Sequence, residues 1–539
     1  MNLFERLFPA DRSLRQAALF EGRKFTYAEL RAETVRVAEV LNALGVRGGD
    51  RVAILMADSP ELIATFVAII SIGAIAVPIN LALGREDQLF ILKDCGACAA
   101  VVEAQTASTL FENSSLVELK NLIVVRRGSD ETPSRIAGIK TQDFGTAERR
   151  GLASGGVKRA KPVDEEALPD GRSSDPDADA FILYTSGSTG EPKGAVHTQA
   201  DIFYTNETYC REVLKLVDGD RLFSSSRLPF AYGLGNSFTF PLLNGFTTIL
   251  CREKPTPELV SHVLNETRPT IFFAVPVVYR MLLEHHRNVA ALDCSSLRLC
   301  ISAGEALPAQ LGEEWQKTFG VEVLDGIGST EMLHMFISNH SADLRYGSSG
   351  KLLSGYEAKL IDHEGVATEI GEVGNLWIRG ESGASRYWQR AESSAETFVD
   401  GWTRTGDLYR CDRSGFWWHM GRSDDCFKPT GQWVSPVEVE SVLLRHESTR
   451  TAAVVEGFDD AGLSCVCAFV VLAEGREPQK SESDLREFCA GALPRFKQPR
   501  RYLFVSELPY TATGKLQRFK LREQLRTLDF GPWTLDLGL

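Results

Sequence analysis

Residues 184–194, Tyr-Thr-Ser-Gly-Ser-Thr-Gly-Glu-Pro-Lys-Gly, constrain this chain more than any other stretch. They follow Ala180-Phe181-Ile182-Leu183, an apolar run that reads as a buried strand. Gly187, Gly190 and Gly194 allow tight turning and close approach of backbone to a ligand. Thr185, Ser186, Ser188 and Thr189 set hydroxyls beside backbone N–H groups, and Lys193 adds a cation. A strand feeding such a loop can hold a polyphosphate. The usual P-loop needs Gly-x-x-x-x-Gly-Lys-Ser/Thr, whereas here Pro192 precedes the lysine and Gly194 follows it. A polar surface turn is the alternative for the loop taken alone.

The first third alternates helical and strand-like patterns. A helix opens at Thr26-Tyr27-Ala28-Glu29-Leu30 and runs to about Leu44, and Arg51–Leu55 reads as a strand. Such alternation implies α/β architecture, with parallel-rich sheets covered by helices. A chain of 539 residues exceeds one hydrophobic core, so several subdomains are expected. Residues 145–179 are polar and lack apolar periodicity, which reads as a solvated connection. A break at Arg422-Ser423-Asp424-Asp425 divides a large domain, 1–423, from a small α+β domain, 424–539.

Net charge is −13, from 72 acidic and 59 basic side chains, which disfavours a nucleic-acid surface. The 11 cysteines are odd in number and scattered, so a disulfide framework is not expected and a reducing, cytoplasmic setting is. Cys95 and Cys98 have redox or half-zinc spacing, but no second pair accompanies them. Cys465 and Cys467, two apart in an apolar run, share one face of a strand. Leu62–Ile79 carries no charge, at the lower edge of a membrane span. Gly73 and Pro78 interrupt it, so a buried helix (Glu61–Ile72) turning into a strand (Ala74–Ile79) is expected instead, with no membrane span.

Further polar knots follow. After Val321-Glu322-Val323-Leu324, a strand is expected to end and Asp325-Gly326-Ile327-Gly328 to open a turn toward Ser329-Thr330-Glu331. Glu331 could hold Mg²⁺ in a nucleotide site, or Ser329 or Thr330 could cap a helix with Glu331 in its first turn. Asp407, in Trp402–Leu408, is fit to accept from two ribose hydroxyls, and Arg422 can reach ribose or phosphate. Lys515 closes Pro509-Tyr510-Thr511-Ala512-Thr513-Gly514-Lys515.

In this order and spacing the motifs resemble those of the adenylate-forming superfamily over nearly the whole chain. Phe230-Ala231-Tyr232-Gly233-Leu234-Gly235-Asn236, Gly328–His334 and Arg345–Lys351 narrow the resemblance to benzoate-CoA and related aryl-CoA ligases. It implies that ATP and Mg²⁺ activate a small aromatic carboxylic acid as its adenylate, and that coenzyme A then displaces AMP. Thr185, Ser186, Gly187, Ser188, Thr189, Gly190 and Lys193 would hold phosphates. Glu331 would ligate Mg²⁺, with Thr330 at the α-phosphate. Asp407 and Arg422 would serve the ribose, and Asp325, Gly304, Glu305 and Ala306 would border the adenine. Lys515 would bridge the attacking carboxylate and the α-phosphate.

The resemblance also implies a swinging C-terminal domain, with its hinge at Asp424. Gly431 and Trp433 would border pantetheine, and Lys497, Arg500 and Arg85 are candidates for CoA phosphate. Gln498 stands where some aryl-CoA ligases carry a basic residue, and Pro429-Thr430 replaces a smaller pair. Ala231, Tyr232, Ser302, Ala303, Gly326, Ile327, Gly328, Leu333 and His334 would wall the acid pocket. His334 reads equally as a contact to a ring substituent or as a structural histidine. An acyl carrier protein as acceptor, a catalytically inactive binding regulator and an oxidising luciferase-like activity are the rival readings. A monomer or homodimer is expected.

Overall fold

The computed structural model describes residues 2–111, 119–126, 135–136, 139–144, 175–185, 191–429, 432–459, 462–510 and 516–530. Most of the 145–179 connection lies outside them.

Among the described residues, two nine-stranded sheets carry the bulk of the chain. In the first, Gln16–Phe20, Thr247–Leu250, Arg221–Ser224, Ile271–Ala274, Leu299–Ser302 and Val323–Gly328 run parallel, with antiparallel strands at both edges. In the second, Asp179–Thr185, Ile75–Pro78, Arg51–Leu55, Ala99–Glu103, Asn121–Val125 and Ile139–Asp143 run parallel. Lys193–Thr198 joins them antiparallel beside Asp179–Thr185. The α/β class with parallel-rich sheets is therefore the observed one.

The uncharged segment is the helix Pro60–Ser71 followed by the strand Ile75–Pro78. Ser59 caps the helix through the Leu62 N–H, with proline at its first position. Leu62 to Ile70 are all buried, as expected of a helix apolar on every side inside a large core. Phe66 lies 5.5 Å from both Phe181 and Phe238, so this helix ties the second sheet to the segment that begins at Ala231. Its burial contributes roughly 2–3 kcal/mol. No described helix is long and apolar enough to cross a membrane. The helix Tyr27–Ala43 opens on a Thr26–Glu29 capping box, and its core face packs on Pro60–Ser71.

Glu357–Ile361, Val373–Arg379, Trp402–Cys411 and Trp417–Arg422 form a third, antiparallel sheet. Beyond it, Thr449–Phe458, Ser464–Leu472 and Arg501–Phe504 form a small sheet. Helices Pro436–Leu443 and Pro478–Ala492 supply the core on one face, and Arg518–Phe530 the core on the other. This unit is α+β, as expected. Cys465 and Cys467 share its second face, both buried, with their sulfurs 3.8 Å apart.

Candidate active site

The candidate polyphosphate segment joins one strand to its antiparallel neighbour. Thr185 ends Asp179–Thr185, Lys193 begins Lys193–Thr198, and the two are register partners. Ser186, Gly187, Ser188, Thr189 and Gly190 lie outside the described residues. Gly194 is a packing requirement: a Cβ there would stand 2.6 Å from Ile182 Cγ2 and 2.9 Å from the Tyr184 ring. Tyr184 is thereby free to donate to Asp94 Oδ2 at 2.7 Å, and Arg390 donates to the other Asp94 oxygen at 2.7 Å.

Lys193 Nζ stands 5.6 Å from the centre of the Tyr387 ring. Tyr387 donates its hydroxyl to Glu331 Oε1 at 2.6 Å. The Ala384 N–H donates to the Glu331 carbonyl at 2.7 Å, so the 384–387 segment holds this residue at both ends. Burial, then the Glu331 carboxylate, pushes the Tyr387 hydroxyl far above the usual tyrosine range, so it stays a donor. No metal-sized cluster of three or more His, Cys, Asp or Glu occurs among the described residues. A single carboxylate held by the tyrosine that Lys193 faces would nonetheless suit Mg²⁺, which takes one or two carboxylates plus substrate phosphates.

Two expectations about this turn need correction. The strand does not end at Leu324 but continues as Val323–Gly328. It pairs parallel with Leu299–Ser302 as far as Asp325, then antiparallel with Met335–Ser338 from Gly326. Gly326 and Gly328 permit that second pairing. Cβ atoms there would lie 2.8 Å from the Ile337 carbonyl oxygen and 2.5 Å from that of His334. Nor does Ser329-Thr330-Glu331 start a helix. Ser329 Oγ accepts from Met332 N and the Thr330 carbonyl from Leu333 N, closing a tight turn with Leu333 at φ +63°.

His197 fixes that turn from below, and the sequence reading missed it. The ring is fully buried and stacks on Phe181 at 5.2 Å. Nε2 faces the Thr330 carbonyl at 2.8 Å, and Nδ1 faces Asp201 Oδ2 at 2.7 Å. The Thr330 carbonyl only accepts, so Nε2 donates to it, while Nδ1 faces the Asp201 carboxyl. A histidine amid the buried positions of Lys193-Gly-Ala-Val-His-Thr198 was the available signal. Tyr387 had none, because it lies 56 residues beyond Glu331.

Asp407 and Arg422 are register partners on the third sheet, with Arg422 Nη1 3.3 Å from Asp407 Oδ1. His419, also unforeseen, stands 3.6 Å from the same oxygen. Burial alone would raise the Asp407 carboxyl. The His419 hydrogen bond and the Arg422 charge outweigh it and hold the group below the usual carboxylate range. Burial would lower the Arg422 guanidinium, but Asp407 and Asp424, with a smaller contribution from Glu331, hold it above the usual arginine range. Gly406, at φ +73°, leaves room for the guanidinium, because a Cβ would stand 2.8 Å from Nη2.

Asp325 is buried, which pushes its carboxyl well above the usual range. It accepts from Leu307 N at 3.3 Å and so fixes the turn holding Gly304, Glu305 and Ala306. Glu305 accepts from Leu516 N at 3.2 Å, one residue after Lys515. Lys515 and Gly431 lie outside the described residues. Asp424 sits in the turn after Arg422 and accepts from Ser423 Oγ at 3.2 Å. Asp425 next to it pairs with Arg518 at 3.6 Å and with Arg522.

The acid-pocket candidates fall in two apolar clusters linked by the Tyr232–His334 ring contact. Tyr232 donates to the Ile301 carbonyl at 3.2 Å, and its ring centre is 5.7 Å from that of His334. Leu333 and Ala231 share one apolar cluster; Ala303 packs in another, with Tyr232 and Ile327 against it. Ser302 ends its strand beside Asp325. The CoA candidates are dispersed. Lys497 pairs with Glu438 at 2.6 Å and Arg500 with Asp459 at 2.9 Å. Trp433 is half exposed with Lys428 Nζ 4.4 Å over its ring, and Arg85 reaches the Thr109 carbonyl at 3.4 Å.

Residues 8–388 match the AMP-binding enzyme family, and residues 438–515 match the AMP-binding enzyme C-terminal domain. The benzoate–CoA ligase of Thauera aromatica is 39% identical over 531 residues, covering 97% of this chain and 95% of the relative. The anthranilate–CoA ligase of Pseudomonas aeruginosa is 33% identical, covering 98% and 97%. Among solved structures, the anthranilate CoA ligase AuaEII in complex with anthranoyl-AMP superposes with a TM-score of 0.89 at 36% identity, covering 98% of each chain. A benzoate CoA ligase from Burkholderia xenovorans LB400 superposes at 0.81 and 36%, covering 97% and 100%. The chain belongs to the AMP-binding enzyme family, the adenylate-forming superfamily that its motifs resemble.

Proposed function

We propose that this protein is an aryl-CoA ligase of the benzoate type. It joins a small aromatic carboxylic acid to ATP, releasing pyrophosphate, and passes the acyl group to coenzyme A, releasing AMP. The observation that carries the reading is the line Lys193–Tyr387–Glu331, together with the Arg422–Asp407 pair. In this reading the cation, the metal-type carboxylate and the ribose-type carboxylate serve one bound nucleotide.

In the first half-reaction a carboxylate oxygen attacks the α-phosphorus and the bond to pyrophosphate breaks. Two anions must meet, so the protein's task is positioning and charge neutralisation rather than nucleophilic attack. Lys193 and the loop before it serve the phosphates, and Thr330 the α-phosphate. Glu331 would hold Mg²⁺, which when bound would supply positive charge to the phosphates. Asp407 accepts from ribose hydroxyls, and Arg422 keeps that carboxylate ionised and oriented. Lys515 neutralises the attacking carboxylate as a point charge with three donors. In the second half-reaction the thiol sulfur bonds to the acyl carbon and AMP leaves. The boundary at Arg422–Asp425, with Asp424 as hinge, separates the domains that rearrange between the two steps.

Incubation with ATP, Mg²⁺ and benzoates in the absence of CoA should accumulate enzyme-bound acyl-AMP, detected by mass spectrometry. Added CoA should convert it to the thioester. ATP cleavage to ADP, or a thioester formed without acyl-AMP, would contradict the proposal.

A further inference from the structure

Asp94 is the last residue of the helix Arg85–Asp94. The C-terminal end of a helix carries partial negative charge, so a carboxylate is disfavoured there. This one is also only 8% exposed. Helix polarity and burial both oppose it, and departures of that kind are expected where function demands them. Its two oxygens serve two different parts of the chain. Oδ2 accepts from the Tyr184 hydroxyl and Oδ1 from Arg390 Nη2, both at 2.7 Å. Its backbone carbonyl accepts from the Trp388 indole N–H at 3.2 Å.

These partners flank the candidate phosphate-binding residues. Tyr184 immediately precedes Thr185. The Trp388 N–H donates at 2.7 Å to the carbonyl of Gly194, the residue after Lys193. Arg386–Tyr387 pairs antiparallel with Ala195–Val196. Arg386 donates to both oxygens of Asp179, at 3.2 and 2.6 Å, where the strand that ends at Thr185 begins. Between these anchors Tyr387 holds the Glu331 carboxylate. Gln389 then takes φ +50°, a left-handed conformation that is costly for a residue other than glycine. Arg390 follows, and its guanidinium reaches Asp94 and lies 3.6 Å from Glu191. Glu191 is mostly exposed, so that second pair adds little, whereas the bond to the buried Asp94 carboxylate is charge-assisted and short.

We propose that Asp94 and Arg390 are positioning residues for the β- and γ-phosphates of ATP. The pair fastens residues 384–390 to the end of the helix, and those residues in turn fix Thr185, Lys193 and Glu331 relative to one another. Neither Asp94 nor Arg390 needs to touch the nucleotide. The inference rests on the ATP reading of this site and adds that its phosphate-binding and metal-binding residues are held as one unit. The ribose candidates Asp407 and Arg422 stand on the third sheet, whereas Arg386–Tyr387 belongs to the second. Loosening the pair therefore weakens the hold on the outer phosphates and leaves that on the nucleoside.

The test is titration calorimetry of the full chain, with no acid present, using ATP with Mg²⁺ and, separately, AMP. Arg390→Gln and Asp94→Asn should each raise the Kd for ATP about tenfold, the low end for partners that orient a ligating residue, and leave the Kd for AMP unchanged. The double variant should lose less than the product of the two single losses, because both break the same bond. Tyr184→Phe removes one oxygen, keeps the packed ring and should shift ATP in the same direction by a smaller factor; it carries the test where a larger change prevents folding. A parent that binds ATP, with Arg390→Gln and Tyr184→Phe binding it equally well, overturns the inference and leaves the ATP reading standing. Equal losses for ATP and AMP in the folded variants also overturn it, since a purely structural role would weaken both. A parent that binds neither nucleotide removes the ATP reading and this inference together.

Discussion

Replacing His197 with leucine keeps a branched side chain in the strand but removes both ring nitrogens. Asp201 retains the Thr198 N–H and hydroxyl, at 3.1 and 2.7 Å, and loses its bond to imidazole. A hydrogen bond to a charged group contributes about 1.5–3 kcal/mol. The Thr330 carbonyl retains Leu333 N at 3.1 Å, so its loss stays near the neutral value, about 0.5–1.5 kcal/mol. The variant should therefore lose about 2–4 kcal/mol, read as a lower urea midpoint. The larger effect is on rate. Thr330 precedes Glu331 in the turn that His197 supports, and a shift of about 1 Å in a positioned group costs on the order of 10²-fold. We expect kcat for acid-dependent pyrophosphate release, at saturating ATP and acid, to fall about 10²-fold. Asp201→Asn, which leaves the imidazole bond to Thr330 in place, should lose less in both measurements. A His197→Leu enzyme with kcat within twofold of the parent, despite its lower midpoint, would refute the claim that this histidine positions the Thr330–Glu331 turn.

Three further outcomes follow from named contacts. Tyr387→Phe removes the 2.6 Å bond that orients Glu331, and partners of this kind are worth 10–100-fold in metal affinity. The Mg²⁺ concentration for half-maximal pyrophosphate release should rise about tenfold, and an unchanged value would argue against Glu331 as the ligand. Asp58 is buried, which outweighs Arg227 and the Leu228 N–H and pushes its carboxyl from 3.8 up to about 6. Between those values the folded chain holds a proton that the unfolded chain has lost, so this group lowers stability as pH rises through that window, by about 3 kcal/mol in full. Asp58→Asn should gain on the parent in urea midpoint between pH 4.5 and pH 8, and a constant difference would contradict the shift. Lys515→Ala should slow adenylation ~10²–10³-fold, the scale for one preorganised donor, and spare thioester formation from supplied acyl-adenylate. Equal losses in both halves would remove the assigned role.

The fold was legible wherever period and composition changed together. The uncharged run at Leu62–Ile79 resolved into helix and strand because Gly73 and Pro78 mark the change of direction. The Asp325–Gly328 stretch misled because a glycine serves equally to turn a chain and to let another strand approach. Only the neighbouring Met335–Ser338 strand distinguishes the two uses. Within the candidate site, residues inside dense local motifs, such as Lys193, Glu331, Asp407 and Arg422, stand out in the sequence. His197, Tyr387 and His419 do not, because each acts on a residue brought to it by folding. Asn236 stood inside a quoted motif, yet its partner His334 is 98 residues away.

The measurement closest to the central claim is pyrophosphate release across benzoate, 2-aminobenzoate, the hydroxybenzoates, cinnamate and octanoate, with and without CoA. The account predicts turnover confined to single-ring aromatic acids, with sustained release only when CoA is present to discharge the acyl-adenylate. Sustained release that ignores CoA would instead indicate a carrier protein as acceptor. Preference for octanoate, or no release with any of these acids, would contradict the account outright.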